Sequence, residues 1–148
     1  MSKLLTILSF LLSFVSYGQL DNPIKWTTSV EKISEKESEL IVTATLDEEW
    51  HIYSQKIANG GPIPTLFSFT GDQRYLKQGV TKEGAGQVID DEIFEMRIKY
   101  FDNTAVFTQR IRLKTNEKFV IKGTVEYMVC SNETCFPPEE VDLSFKIN

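Results

Sequence analysis

Cysteine and histidine are scarce in these 148 residues: Cys130 and Cys135 are the only thiols, and His51 is the only imidazole. Three soft ligands in total, with a C-x4-C spacing that is not usual for zinc, argue against a metal site, and no cofactor is implied. One histidine, with no serine set in a nucleophile motif, leaves no basis for hydrolase chemistry. Basic residues are outnumbered 16 to 21, which argues against nucleic acid or an anionic membrane surface as a partner. Beyond the first residues no apolar run approaches the roughly 20 needed to cross a bilayer. No internal repeat or low-complexity stretch interrupts the chain, and no segment carries a convincing helical period.

What is present begins with a leader. Lys3 precedes an apolar run from Leu4 to Val15, and Ser16-Tyr17-Gly18 places small residues where a signal peptidase reads. Residues 1–18 are therefore expected to be a cleaved signal peptide, with no cysteine beside the cut to carry a lipid. The expected location is periplasmic or secreted, an environment where disulfides form. Removing Met1–Gly18 leaves 15 basic against 21 acidic residues, a formal charge of −6. Residues 19–148 are the size of one domain with its own core.

Within that domain the apolar period is two. Leu40, Val42, Ala44 and Leu46 alternate with Ile41, Thr43 and Thr45; Ala105, Phe107, Ile111 and Leu113 alternate with Val106, Thr108, Arg110 and Arg112; Val141, Leu143, Phe145 and Ile147 alternate with polar residues. Turn formers separate these runs at 47–49, 59–62, 70–72, 84–86, 102–103 and 115–117. Roughly eight short strands at this spacing predict an all-β fold, an antiparallel sandwich of immunoglobulin-like architecture. The cysteine–tryptophan–cysteine pattern of antibody domains is absent.

The two cysteines flank Ser131-Asn132-Glu133-Thr134, four turn formers, so the spacing predicts a hairpin with a sulfur at each end, close enough to bond. A loop this short stabilises a fold by only about 2 kcal/mol on the chain-entropy estimate, which makes it a poor staple and favours a redox role. Alternation through Phe119, Ile121, Val125, Tyr127 and Val129 places Cys130 on the opposite, wetter face. Two further stretches stand out. In Trp50-His51-Ile52-Tyr53 the alternation turns Trp50 and Ile52 inward and leaves His51 and Tyr53 outward; Asp90-Asp91-Glu92 is an acidic loop leading into a strand with an apolar face of Phe94, Met96, Ile98 and Tyr100. Gly60-Gly61-Pro62-Ile63-Pro64 reads as a rigid connection without chemistry.

Taken together, Trp50–Tyr53, Asp91–Phe94 and the run Tyr127–Pro138, with its Cys130…Cys135-Phe136-Pro137-Pro138, resemble the amino-terminal periplasmic domain of DsbD, the bacterial thiol:disulfide interchange protein. The likeness spans nearly the whole mature chain, and its most specific part is the cysteine hairpin ending in Pro-Pro. The resemblance implies an immunoglobulin-like sandwich whose reactive pair is Cys130 and Cys135. It aligns a tyrosine-x-tyrosine element with His51-Ile52-Tyr53, so that Tyr53 matches and His51 departs. It places an aromatic cap over the disulfide at Phe94, or at Ile93 if the alignment slips by one. The family's full-length protein continues into a membrane electron-transfer domain and a thioredoxin-like domain; this chain ends at Asn148, so a free-standing version with its electron donor in trans is expected.

The expected chemistry is exchange through a mixed disulfide. Glu126, Glu133, Glu139 and Glu140 lie near the cysteines in sequence with no Lys or Arg, and acids disfavour a thiolate. The expected partners are accordingly a thioredoxin-like reductant that opens Cys130–Cys135 and substrate proteins whose disulfides the dithiol then reduces. The resemblance favours Cys135 as the first to form the mixed disulfide, with His51 or Tyr53 hydrogen bonding to the departing sulfur. The rival from another class is an exported binding or adhesion module in which the disulfide only stiffens a hairpin.

Overall fold

Every second residue from Ser38 to Leu46 is buried, and so is every second residue from Ala105 to Ile111. A pleated strand points successive side chains to opposite faces, so this pattern commits each segment to one apolar and one polar side. The computed structural model describes residues 22–91 and 94–148. The leader expected over 1–18 and the alternative cap Ile93 lie outside the described residues.

The described residues form eleven strands and no helix. They are β1 (Ile24–Lys32), β2 (Glu37–Leu46), β3 (His51–Tyr53), β4 (Leu66–Phe69), β5 (Tyr75–Glu83) and β6 (Gln87–Asp91). After these come β7 (Met96–Asp102), β8 (Thr104–Leu113), β9 (Phe119–Tyr127), β10 (Val129–Cys130) and β11 (Glu139–Ile147). The count exceeds the expected eight because β3, β4 and β10 span four residues or fewer, too short for alternation to register as a strand.

One sheet has the order β1-β2-β8-β5, and all its pairings are antiparallel. The rest of the fold divides into β11-β9-β4 and β10-β3-β7-β6. These two meet where the chain leaves β9 at Tyr127, breaks at Met128 and re-enters as β10, so one run of sequence serves both. Leu40, Val42 and Phe107 of the first sheet share a core with Ile121, Val125 and Phe145 of the second and with Ile52, Phe101 and Val129 of the third. The result is the immunoglobulin-like sandwich.

A polar residue is buried in that core at Gln109, which is 1% exposed. It faces the irregularity in β5 between Gln78 and Lys82, where Gly79 adopts a φ of 67° that a side chain would strain. Its amide donates to the Gln78 and Arg110 carbonyls and accepts from Thr81 Oγ1. The bulge thus has its broken ladder bonds replaced by a side chain.

Candidate functional site

Strand β10 pairs antiparallel with β3, placing Val129 opposite Ile52 and Cys130 opposite His51. Beyond Cys130 the chain turns sharply: the Ser131 amide donates to the Thr134 carbonyl at 2.7 Å, and Ser131 Oγ accepts the amides of Glu133 and Thr134, both at 3.2 Å. These are the local bonds for which serine is favoured in turns. The Phe136 amide donates to the Val129 carbonyl at 2.9 Å, which closes the hairpin and sets Cys135 opposite Cys130. The two are disulfide-bonded, with Cα atoms 4.0 Å apart.

The sulfurs occupy different environments. Cys135 is exposed, whereas Cys130 is 1% exposed. This corrects the expectation of a wet face for Cys130. Cys130 does lie away from the main core that holds Val129, but its own side is covered by a second apolar cluster. That cluster contains Tyr53 and Ile98, with Phe94, Met96, Tyr100, Met128 and Ile57 packed against it. A two-residue strand with both faces covered hides both residues, and alternation cannot reveal a second cover. Tyr53 is likewise buried at 6% exposure rather than outward, while His51 is half-buried beside it.

Phe94 stands in the turn before β7, its amide donating to Asp91 Oδ1 at 2.9 Å, and its ring packs into the cluster that holds Cys130. The expected apolar face of Phe94, Met96, Ile98 and Tyr100 is therefore the wall of this cluster. Gly61, expected to be a mere connector, also belongs to it: a Cβ there would lie 3.0 Å from Met96 Sδ and 2.7 Å from Ile57 Cγ2. The glycine permits the loop to close against the wall.

A polar row crosses the same sheet. Cys130, His51 and Asp102 are aligned on β10, β3 and β7, and Tyr53 is aligned with Tyr100. His51 Nε2 and Tyr53 OH share a hydrogen bond of 3.2 Å, and the His51 ring lies 5.3 Å from both the Tyr53 and the Tyr100 ring. Tyr100 OH donates to Gln87 Oε1, and Gln87 Nε2 donates to Asp102 Oδ2 at 2.6 Å. Burial lowers the His51 pKa below its ordinary 6.5, outweighing the opposing pull of Asp102 and Asp91. Burial, helped by Asp91, raises that of Tyr53.

His51, Tyr53 and Tyr100 line a groove of about 310 Å³ together with Trp50, Asp91, Asp102, Glu48, Glu49 and the hairpin residue Asn132. Four carboxylates therefore line the groove that Asn132 also enters, yet none is among the acids near the cysteines in sequence. Glu139 instead accepts hydrogen bonds from Tyr127 and Asn22. Sequence reasoning did not assign Tyr100, Gln87 or Asp102 to the site, because strand pairing, not sequence distance, brings them there. Tyr100 alone carried a signal, as the last residue of the apolar face that begins at Phe94. No helix among the described residues is long and apolar enough to cross a membrane, and no group of three metal-ligating side chains forms among them.

Residues 23–146 match the family model described as the N-terminal domain of the thiol:disulfide interchange protein DsbD. Solved structures agree in fold. The N-terminal domain of Neisseria meningitidis DsbD in the reduced form is 14% identical at a TM-score of 0.55, over 83% of this chain and 86% of that one. The N-terminal periplasmic domain of ScsB from Proteus mirabilis is 15% identical at 0.53, over 84% of this chain and 44% of that one. A complex between the DsbD and PilB N-terminal domains from Neisseria meningitidis gives 12% identity and 0.52, over 80% of each chain. No curated protein matches the chain.

Proposed function

The chain belongs to the family of the DsbD N-terminal domain, and from that premise we propose that Cys130 and Cys135 form a two-electron couple in an exported thiol:disulfide interchange domain. The observation that carries the reading is the asymmetry of the disulfide: Cys135 is exposed, while Cys130 is held in an apolar cluster. A thiolate must approach the sulfur that it attacks, so access selects Cys135.

The steps follow. A thioredoxin-like partner's thiolate attacks Cys135, forming a mixed disulfide and releasing Cys130 as the leaving sulfur. The partner's second thiol then attacks its own sulfur in that bond and frees Cys135 as a thiol. The partner leaves oxidised, and the domain now holds a dithiol. Reversal of this sequence against a substrate protein's disulfide delivers the two electrons onward. The DsbD neighbour captured with the PilB N-terminal domain is an example of a domain of this family engaging another protein.

Phe94 serves as the cap: its ring belongs to the cluster around Cys130, so small thiols meet an apolar wall on that side until a partner displaces it. His51 and Tyr53 support the site from β3. The working domain is 19–148 after removal of 1–18, and it acts in the periplasm or outside the cell.

The test pairs two measurements. Oxidised protein is incubated with a reduced thioredoxin, and the thiols that appear are counted; the potential of the couple is then determined against glutathione. The proposal expects two thiols per chain and a potential above about −300 mV. A disulfide that the thioredoxin leaves closed in the folded protein, with a potential below that value, makes the hairpin a structural crosslink on a binding module.

A further inference from the structure

The geometry points to His51 as the general base that takes the proton from Cys130 when this sulfur closes the disulfide and expels a partner. The inference rests on the redox reading above and concerns the step that the buried sulfur must perform.

Directly opposed residues of an antiparallel pair share a face, with Cβ atoms about 4.5–5.5 Å apart. Cys130 and His51 are such a pair. In the dithiol, Cys135 can lose its proton to solvent, because it is exposed. Cys130 cannot do so readily, being 1% exposed beneath Tyr53, Ile98 and their neighbours. An apolar surrounding also raises the cost of its thiolate. The imidazole is the group on its own face that can accept a proton near neutral pH.

Its surroundings suit that task. The groups facing it are Asp102 from β7, Asp91 at the end of β6, Glu48 and Glu49 from the turn before β3, the phenols of Tyr53 and Tyr100, and Asn132 of the hairpin. No lysine or arginine lines this groove among the described residues. Burial keeps the ring uncharged at neutral pH and so in its basic form. Tyr53 engages one ring nitrogen: in the tautomer whose Nε2–H donates to the Tyr53 hydroxyl, Nδ1 is left to accept. Toward a thiol an imidazole is a stronger base than a carboxylate.

The step balances. The Cys130 S–H bond breaks and its proton passes to His51. The sulfur's electron pair forms the bond to Cys135, while the bond between Cys135 and the partner's sulfur breaks and the partner leaves as a thiolate. His51 then returns the proton to water through the groove. In reduction the ring first takes a proton from water through the groove and passes it to Cys130 as that sulfur departs.

A chromogenic disulfide isolates the step. Reduced protein mixed rapidly with one equivalent of dithiobis(nitrobenzoic acid) releases one nitrothiobenzoate as Cys135 attacks and a second as Cys130 closes the ring. We expect the second phase of the wild type to fall on acidification, with a midpoint below 6.5. In His51→Phe and His51→Gln that phase should slow about 10²-fold at neutral pH and lose this acid limb, with the first phase unchanged. A second phase of the same rate and pH profile in the variants overturns the inference, and so does equal slowing of both phases, which marks a structural role. Should the variants fail to fold, the wild-type profile decides, and a missing acid limb overturns the base. Two phases that ignore His51 leave the redox couple standing without this base; a wild type with no second phase removes the couple itself.

Discussion

The ring of Phe136, one residue past Cys135, packs against that of Trp50, one residue before β3, with centroids 5.0 Å apart. The contact joins the exit of the disulfide hairpin to the entry of the strand that carries His51, and both rings also pack on the main core. Phe136→Ala removes a half-buried aromatic from this junction and should cost about 2 kcal/mol, less than the 3–5 typical of a fully buried phenylalanine. Denaturant unfolding of the oxidised form measures it. A loss of a few tenths would show that the hairpin is held without this contact.

Access makes the two cysteines unequal nucleophiles. In Cys130→Ser the remaining thiol is the exposed one, and it should be alkylated by iodoacetamide at least about tenfold faster than the thiol left in Cys135→Ser. Cys130→Ser should also accumulate the mixed disulfide with a thioredoxin whose resolving cysteine is replaced. Equal alkylation rates would mean that the cluster around Cys130 opens freely.

Phe94→Ala strips an aromatic from that cluster. Reduction of the disulfide by glutathione or dithiothreitol should accelerate severalfold, with a smaller effect on reduction by a thioredoxin, which displaces the wild-type cap by itself. Unchanged rates with small thiols would remove Phe94 from the account and return it to ordinary packing.

Glu83 predicts an acid limit to stability. Its carboxylate accepts the Ser54 hydroxyl at 2.7 Å, the Gln55 amide at 2.8 Å and Lys99 Nζ at 3.1 Å, pinning the segment after β3 to β5 and β7. Burial alone would raise its pKa, but these bonds outweigh it and hold the group below the ordinary 4.5. The native state thus binds its proton less readily than the unfolded chain does. The contribution is present above pH 4.5 and is lost as pH falls through the lower native value. Glu83→Ala should cost about 2 kcal/mol at neutral pH, and the variant should lose less further stability on acidification than the wild type does. Parallel stability curves against pH would contradict the assignment.

The parts of this protein that could be read in advance are those governed by near neighbours in the chain. Alternation in Glu37–Leu46 and Thr104–Leu113 settles which side chains meet the core, since the strand period is two wherever one face is dry. Ser131 shapes the turn through its own hydroxyl, which accepts the Glu133 and Thr134 amides, and the sulfurs face each other across it. Alternation had no means of reporting that a second cluster covers the far side of Cys130, because its members come from 53 to 128 and meet only when β3, β7 and β10 pair; the resemblance pointed only to Phe94 among them as a cap. The same pairing sets His51 against Cys130 and Asp102 against His51. Exposure and pairing depend on distances across strands, so the sequence can bring the two sulfurs together, while tertiary structure decided that Cys130 is buried, that Cys135 is exposed and that His51 stands opposite Cys130.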